Sequence, residues 1–122
     1  MTEDSVIQIV DHPEVNLLAV ARRTLDDNAT RVLTDEILTA AAHKPHLPLV
    51  LDMGQVKFAP SVALGALVQV SKSLRLDQRR IALVGIHHRI MDAIRVTRLH
   101  EVLEIHPTLD AFLKSTGEEK KN

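Results

Sequence analysis

The strongest constraint on this chain is the stretch from Leu49 to Leu76, LVLDMGQVKFAPSVALGALVQVSKSLRL, where the hydrophobic period changes partway along. Leu49-Val50-Leu51 is an uninterrupted branched apolar run, the pattern of a central strand covered on both faces. Asp52, Gly54 and Pro60 then break it. From Ser61 onward Ala63, Leu67, Val70 and Leu74 recur at helical spacing. A buried strand, a turn and a helix in succession make the crossover unit of α/β folds, in which a helix carries the chain back across a sheet.

The flanking segments repeat this rhythm. Val6 to Val10 alternates apolar and polar residues, His12-Pro13 marks a turn, and Val15 to Ala21 is a short apolar run. The pattern predicts a hairpin whose second strand is the more buried. Asp26, Asp27 and Asn28 are helix-starting residues, so a helix is expected from about Asn28 to His43. Its buried stripe is Ala29, Leu33, Ile37 and Ala40, with Arg31, Asp35 and Glu36 solvated. Ile81 to Ile86 is a second run of the central-strand type. A helix over His88 to Arg98 buries Ile90, Met91 and Ile94, and Val102 to Ile105 is a brief strand. Thr108 caps a last helix with Leu109, Phe112 and Leu113 inward, which Gly117 stops. The expectation is one α/β domain over residues 1–117, with a mixed, mostly parallel sheet of about five strands and about four helices. Residues 118–122 are expected to form a disordered charged tail.

Composition narrows the function. The net charge is −1 with no long basic block, and Phe58 and Phe112 are the only aromatics, so neither bulk phosphate neutralisation nor base stacking supports nucleic-acid binding. The absence of cysteine excludes disulfides, thiolate metal sites and cysteine nucleophiles. No run has the length of a membrane span and the N-terminus has no signal-peptide pattern; a cytoplasmic protein without membrane contact is expected.

Few residues carry a chemical signature. Ser61 opens a helix after the C-terminal end of a central strand, the edge of an α/β sheet where ligands and modifications concentrate. Its hydroxyl reads either as a helix cap or as a phosphoacceptor placed where the helix dipole favours an anion. The same helix has a smooth, uncharged second face of Val62, Gly65, Ala66 and Gln69. Gly65 needs a reason, since glycine in a helix costs about 1 kcal/mol against alanine; close packing within the domain and a flat docking face are both open. Asp52 ends a central strand and is expected to organise the following turn through backbone amides. Of the histidines only His43 and His46 have a short ligand spacing, without a supporting motif, so no metal is expected. With no nucleophile elbow and no phosphate-binding glycine loop, neither catalysis nor a cofactor is expected.

The segment Leu49 to Phe58 resembles the strand-and-turn signature of STAS domains, the fold of bacterial anti-sigma factor antagonists. Leu64-Gly65-Ala66-Leu67 matches the family's Leu-Gly-x-Leu, and Ile81 to Ile86, Arg98-Leu99 and Ile105 to Phe112 are similar to its later elements. The diagnostic turn departs from the pattern: Pro60 replaces the acid before the serine, Val62 the second serine and Ala63 the glycine. Stressosome-type members carry their acceptor at the first hydroxyl, which corresponds to Ser61.

The resemblance implies a regulatory protein-binding domain that docks through Phe58, Pro60, Val62, Gly65, Ala66 and Gln69. Its partner would be an anti-sigma factor or related serine kinase, with a homodimer as a further association, and Ser61 would be the acceptor. The alternatives are a module that binds a nucleotide or small anion through Arg79, Arg80 and Arg89 near the Ser61 loop, and a non-phosphorylatable stressosome-type scaffold.

Overall fold

The computed structural model describes residues 5–121, with side chains through residue 116. Two strands open the chain, β1 (Ile7–Val10) and β2 (Asn16–Val20), followed by α1 (Asp27–Ala41) and β3 (Leu49–Asp52). Then come α2 (Ser61–Leu76), β4 (Ile81–Val84), α3 (His88–Val96), a 3-10 turn (Leu99–Glu101), β5 (Glu104–His106) and α4 (Leu109–Lys121).

The sheet order is β1-β2-β3-β4-β5, antiparallel between β1 and β2 and parallel elsewhere. Because the parallel strands add in one direction, right-handed crossovers place α1, α2 and α3 on one face. Leu18 and Val20, Leu49 and Leu51, and Ile81 and Leu83 join that helical layer in one core cluster. Their alternate neighbours Val50, Ala82 and Val84 pack on the opposite face against Phe112 of α4. Burial on both faces is why β3 and β4 read as unbroken apolar runs. β2 alternates between buried and half-buried residues, while β1 is mostly exposed and ends in Ile9 and Val10, 65% and 42% exposed. The more buried second hairpin strand is as the pattern predicts.

The stripe Ala29, Leu33, Ile37 and Ala40 is buried as expected, and Asp26 caps α1 by accepting from the Ala29 amide at 2.8 Å. Glu36 departs from expectation. It is half-buried, because its carboxylate accepts from the Ser5 hydroxyl and the amides of Val6 and Ile7 at the start of β1.

Several element ends also differ from the sequence reading. β4 ends at Val84 because Gly85 turns the chain with a φ of +69°. α3 ends at Val96: the Thr97 hydroxyl bonds the Ala93 carbonyl at 2.7 Å, and Arg98 takes a left-handed φ of 61°. The 3-10 turn then delays β5 to Glu104, so Val102 and Leu103 precede the strand. Finally, α4 runs through Gly117 to Lys121, which makes residues 118–121 helical backbone; Asn122 lies outside the described residues. A single glycine weakens a helix by about 1 kcal/mol without forbidding it, and Glu118 to Lys121 are good helix formers.

Candidate functional site

The site is built on the turn between β3 and α2. Asp52 ends β3 and accepts the Gly54 amide at 2.9 Å. Met53 and Val56, both fully buried, anchor the turn in the core. The amides of Lys57 and Phe58 donate to the Arg23 carbonyl at 2.8 and 3.1 Å, and Leu25 donates to the Phe58 carbonyl at 3.0 Å. The loop is therefore stitched to the segment between β2 and α1, yet Phe58 remains 50% exposed. The anchoring hydrophobe is Val56, and Phe58 points away from the core it could have filled.

Pro60 is the N-cap residue of α2, with a φ of −61° and a ψ of 163°, and its carbonyl accepts from Ala63 and Leu64. Proline suits this position because its fixed φ is compatible with a helix start and it has no amide to leave unpaired. Ser61 is accordingly the first helical residue and not the cap. Its side chain is exposed and makes no hydrogen bond among the described residues. The capping explanation for the serine falls away.

The two faces of α2 separate as the spacing predicts. Ala63, Leu67, Val70 and Leu74 are buried; Val62, Gly65 and Gln69 are exposed and Ala66 is half-buried. Val62 is 65% exposed, and a Cβ built on Gly65 meets nothing within 4 Å. Close packing inside the domain therefore does not require glycine at that position. Phe58, Pro60, Val62, Gly65 and Gln69 share an exposed, uncharged surface at the start of α2.

Lys57 and Arg89 come near His87 at the end of the sheet where β4 leads into α3. His87 and His88 stack with ring centroids 4.4 Å apart, and His87 caps α3 by accepting the Arg89 amide at 3.3 Å. Desolvation lowers the His87 pKa, and the charges of His88, Lys57 and Arg89 lower it further, which favours the neutral ring. Sequence reasoning singled out Arg89 but missed the contribution of Lys57 and His87. Their association depends on the parallel β3–β4 pairing, which brings two loops distant in sequence together.

Arg79 and Arg80 do not join them. They precede β4, whereas Ser61 follows β3, and since β3 and β4 are parallel the two positions lie at opposite ends of the sheet. Arg79 donates to the carbonyls of Ala41 and Leu47, and Arg80 forms a two-pronged pair with Glu104 while lying over the Phe112 ring. The expected anion pocket of Arg79, Arg80 and Arg89 beside Ser61 is thus not assembled. Among the described residues no group of three or more histidines and carboxylates is placed to hold a metal ion. No helix among them is long and apolar enough to cross a membrane.

A family model described as STAS domain matches residues 7–112, a span that runs from β1 into α4. The chain belongs to the STAS domain family. This STAS domain is 26% identical to an anti-sigma factor antagonist from Mycobacterium paratuberculosis, covering 92% of this chain and 94% of that one with a TM-score of 0.77. It is 19% identical to an anti-sigma-factor antagonist domain protein from Planctomyces limnophilus, with 91% and 97% covered and a TM-score of 0.75. The anti-sigma factor antagonist SpoIIAA, solved in its unphosphorylated form, is 15% identical with a TM-score of 0.71 over 91% of this chain and 96% of its own. No curated protein sequence matches the chain.

Proposed function

We propose that this STAS domain is a regulatory protein-binding module of the anti-sigma factor antagonist kind, docking through the surface from Phe58 to Gln69. The observation that carries the reading is Gly65, exposed on α2 with open space where a side chain would stand, on the same segment as the exposed apolar groups Phe58 and Val62. A helix surface of this kind, small and uncharged, lets another protein approach the backbone closely, and buried apolar contact drives such association. The partner class is an anti-sigma factor or related serine kinase, in keeping with the family and the antagonists of similar fold.

Ser61 is the phosphoacceptor in this reading. Its hydroxyl is exposed, free of hydrogen bonds among the described residues and at the first position of α2. A phosphate there would bring up to two negative charges into an apolar interface and oppose docking through desolvation, although the helix dipole tolerates it in the free protein. The test is calorimetry with an anti-sigma factor of the serine-kinase class from the same genome. Ser61→Asp is expected to weaken binding by about tenfold or more, or about 1.4 kcal/mol, with Ser61→Ala retaining the wild-type affinity. Equal affinity for the two variants would remove Ser61 as the switch.

A further inference from the structure

We propose a second binding site, for a small amphipathic monocarboxylate, at the end of the sheet opposite Ser61. The loops leading into β2, β3 and β4 meet α4 there around a cleft of about 810 Å³. That volume lies within the range of about 300–1,000 Å³ usual for small-molecule sites.

The cleft's accessible apolar side is formed by Pro13, Leu47 and Leu113, laid over the buried Val15 and Phe112. Pro45 and Pro48 stiffen the wall ahead of β3, because their φ angles are fixed, so the shape exists before a ligand arrives.

Arg79 supplies the polar feature. Its guanidinium is half-buried and donates to the carbonyls of Ala41 and Leu47, which uses two of its five N–H donors. Among the described residues no carboxylate stands within ion-pair distance of Arg79. Its neighbour Arg80, in contrast, is paired with Glu104. A half-buried cation with carbonyl partners alone gains from an anion that replaces its lost hydration, and the planar fork of arginine fits a carboxylate.

The charge pattern also sets the ligand's valence. Among the described residues the cleft offers one guanidinium without a carboxylate partner, and the exposed carboxylate of Glu14 lines the same cleft and repels further negative charge. A single carboxylate on an apolar body fits this combination; a nucleotide or other polyanion does not.

Octanoate is the probe, with octanol and acetate as its apolar and anionic halves, followed through the amide signals of the isotopically labelled protein. Octanoate is expected to shift the signals of Val15, Leu113 and Thr116, with octanol and acetate each at least about tenfold weaker. Arg79→Gln should lose octanoate binding by a similar factor. Since Arg79 also braces the end of α1 and the loop before β3, Glu14→Lys provides an exposed variant that leaves the fold alone, and it should tighten octanoate binding severalfold. Absence of shifts at the cleft, equal binding of octanol, or an unchanged affinity in Glu14→Lys would each overturn the proposal.

Discussion

A methyl group added at Gly65 would meet nothing within 4 Å, whereas one added at Gly85 would stand 3.2 Å from Asp52 Oδ1 and on a backbone with a φ of +69°. Opposite outcomes follow for one chemical change. Gly65→Ala should raise stability in urea by about 1 kcal/mol, the helix-propensity difference; a loss would show that the glycine serves internal packing after all. Gly85→Ala should lower stability by about 1–2 kcal/mol, the cost of a left-handed residue with a Cβ, and an unchanged midpoint would contradict the strain. Ser61 and Asp26 form a second contrast. Asp26 bonds the Ala29 amide, so Asp26→Ala should cost about 1 kcal/mol of stability. Ser61 makes no capping bond, so Ser61→Ala should stay within about 0.5 kcal/mol of wild type. The sequence pattern identified Ser61 but left its hydroxyl between cap and acceptor, because N-cap and first-turn positions differ by one residue and only the ψ of Pro60 decides between them.

At the scale of elements, α4 is the one helix among the described residues that covers the second face of the sheet, and a polar cluster fastens it. Arg80 bridges Glu104 on β5 and the Ser115 hydroxyl on α4, and His106 meets Glu104 at 2.8 Å and the Phe112 ring edge-on. Burial pushes the Glu104 carboxyl up, but hydrogen bonds and charge from Arg80 and His106 outweigh it and hold its pKa below the ordinary 4.5. A carboxyl with a depressed folded pKa contributes stability fully above its unfolded value, and the contribution is lost as pH falls through the folded value. Glu104→Gln should therefore flatten the fall of stability with acid below pH 4.5, measured as urea midpoints across that range. A variant with the wild-type slope would show that other carboxylates carry the acid limb. These elements were unevenly legible. The unbroken runs of β3 and β4 and the stripes of α1 and α2 showed in the sequence because burial on both faces, or on one helical stripe, leaves a periodic record. β5 showed as a strand but was placed early, at Val102 to Ile105, because the left-handed Arg98 and the 3-10 turn reset the chain immediately before a three-residue strand.

For the whole molecule, the sequential strand order puts three helices on one face and leaves the C-terminal ends of β3 and β4 to present their loops together. This topology brings Lys57 and Arg89 near His87 at the end of the sheet where α2 begins and sends Arg79 and Arg80 to the far end, a separation that linear sequence cannot show without the direction of each strand. The exposed face of α2 was legible, since helical spacing alone divides Val62, Gly65 and Gln69 from the buried stripe. The two ends of the molecule should then respond independently: Glu14→Lys at the lower cleft leaves partner affinity unchanged, and a substitution on α2 leaves octanoate binding unchanged. The most direct test of the docking surface is calorimetric titration of an anti-sigma factor of the serine-kinase class with wild-type protein and with Val62→Glu. Val62 is exposed, so the fold should tolerate the change. The expected result is a loss of affinity of at least about tenfold, since a carboxylate would be desolvated in an apolar contact; tight binding by wild type and Val62→Glu alike would contradict docking through α2.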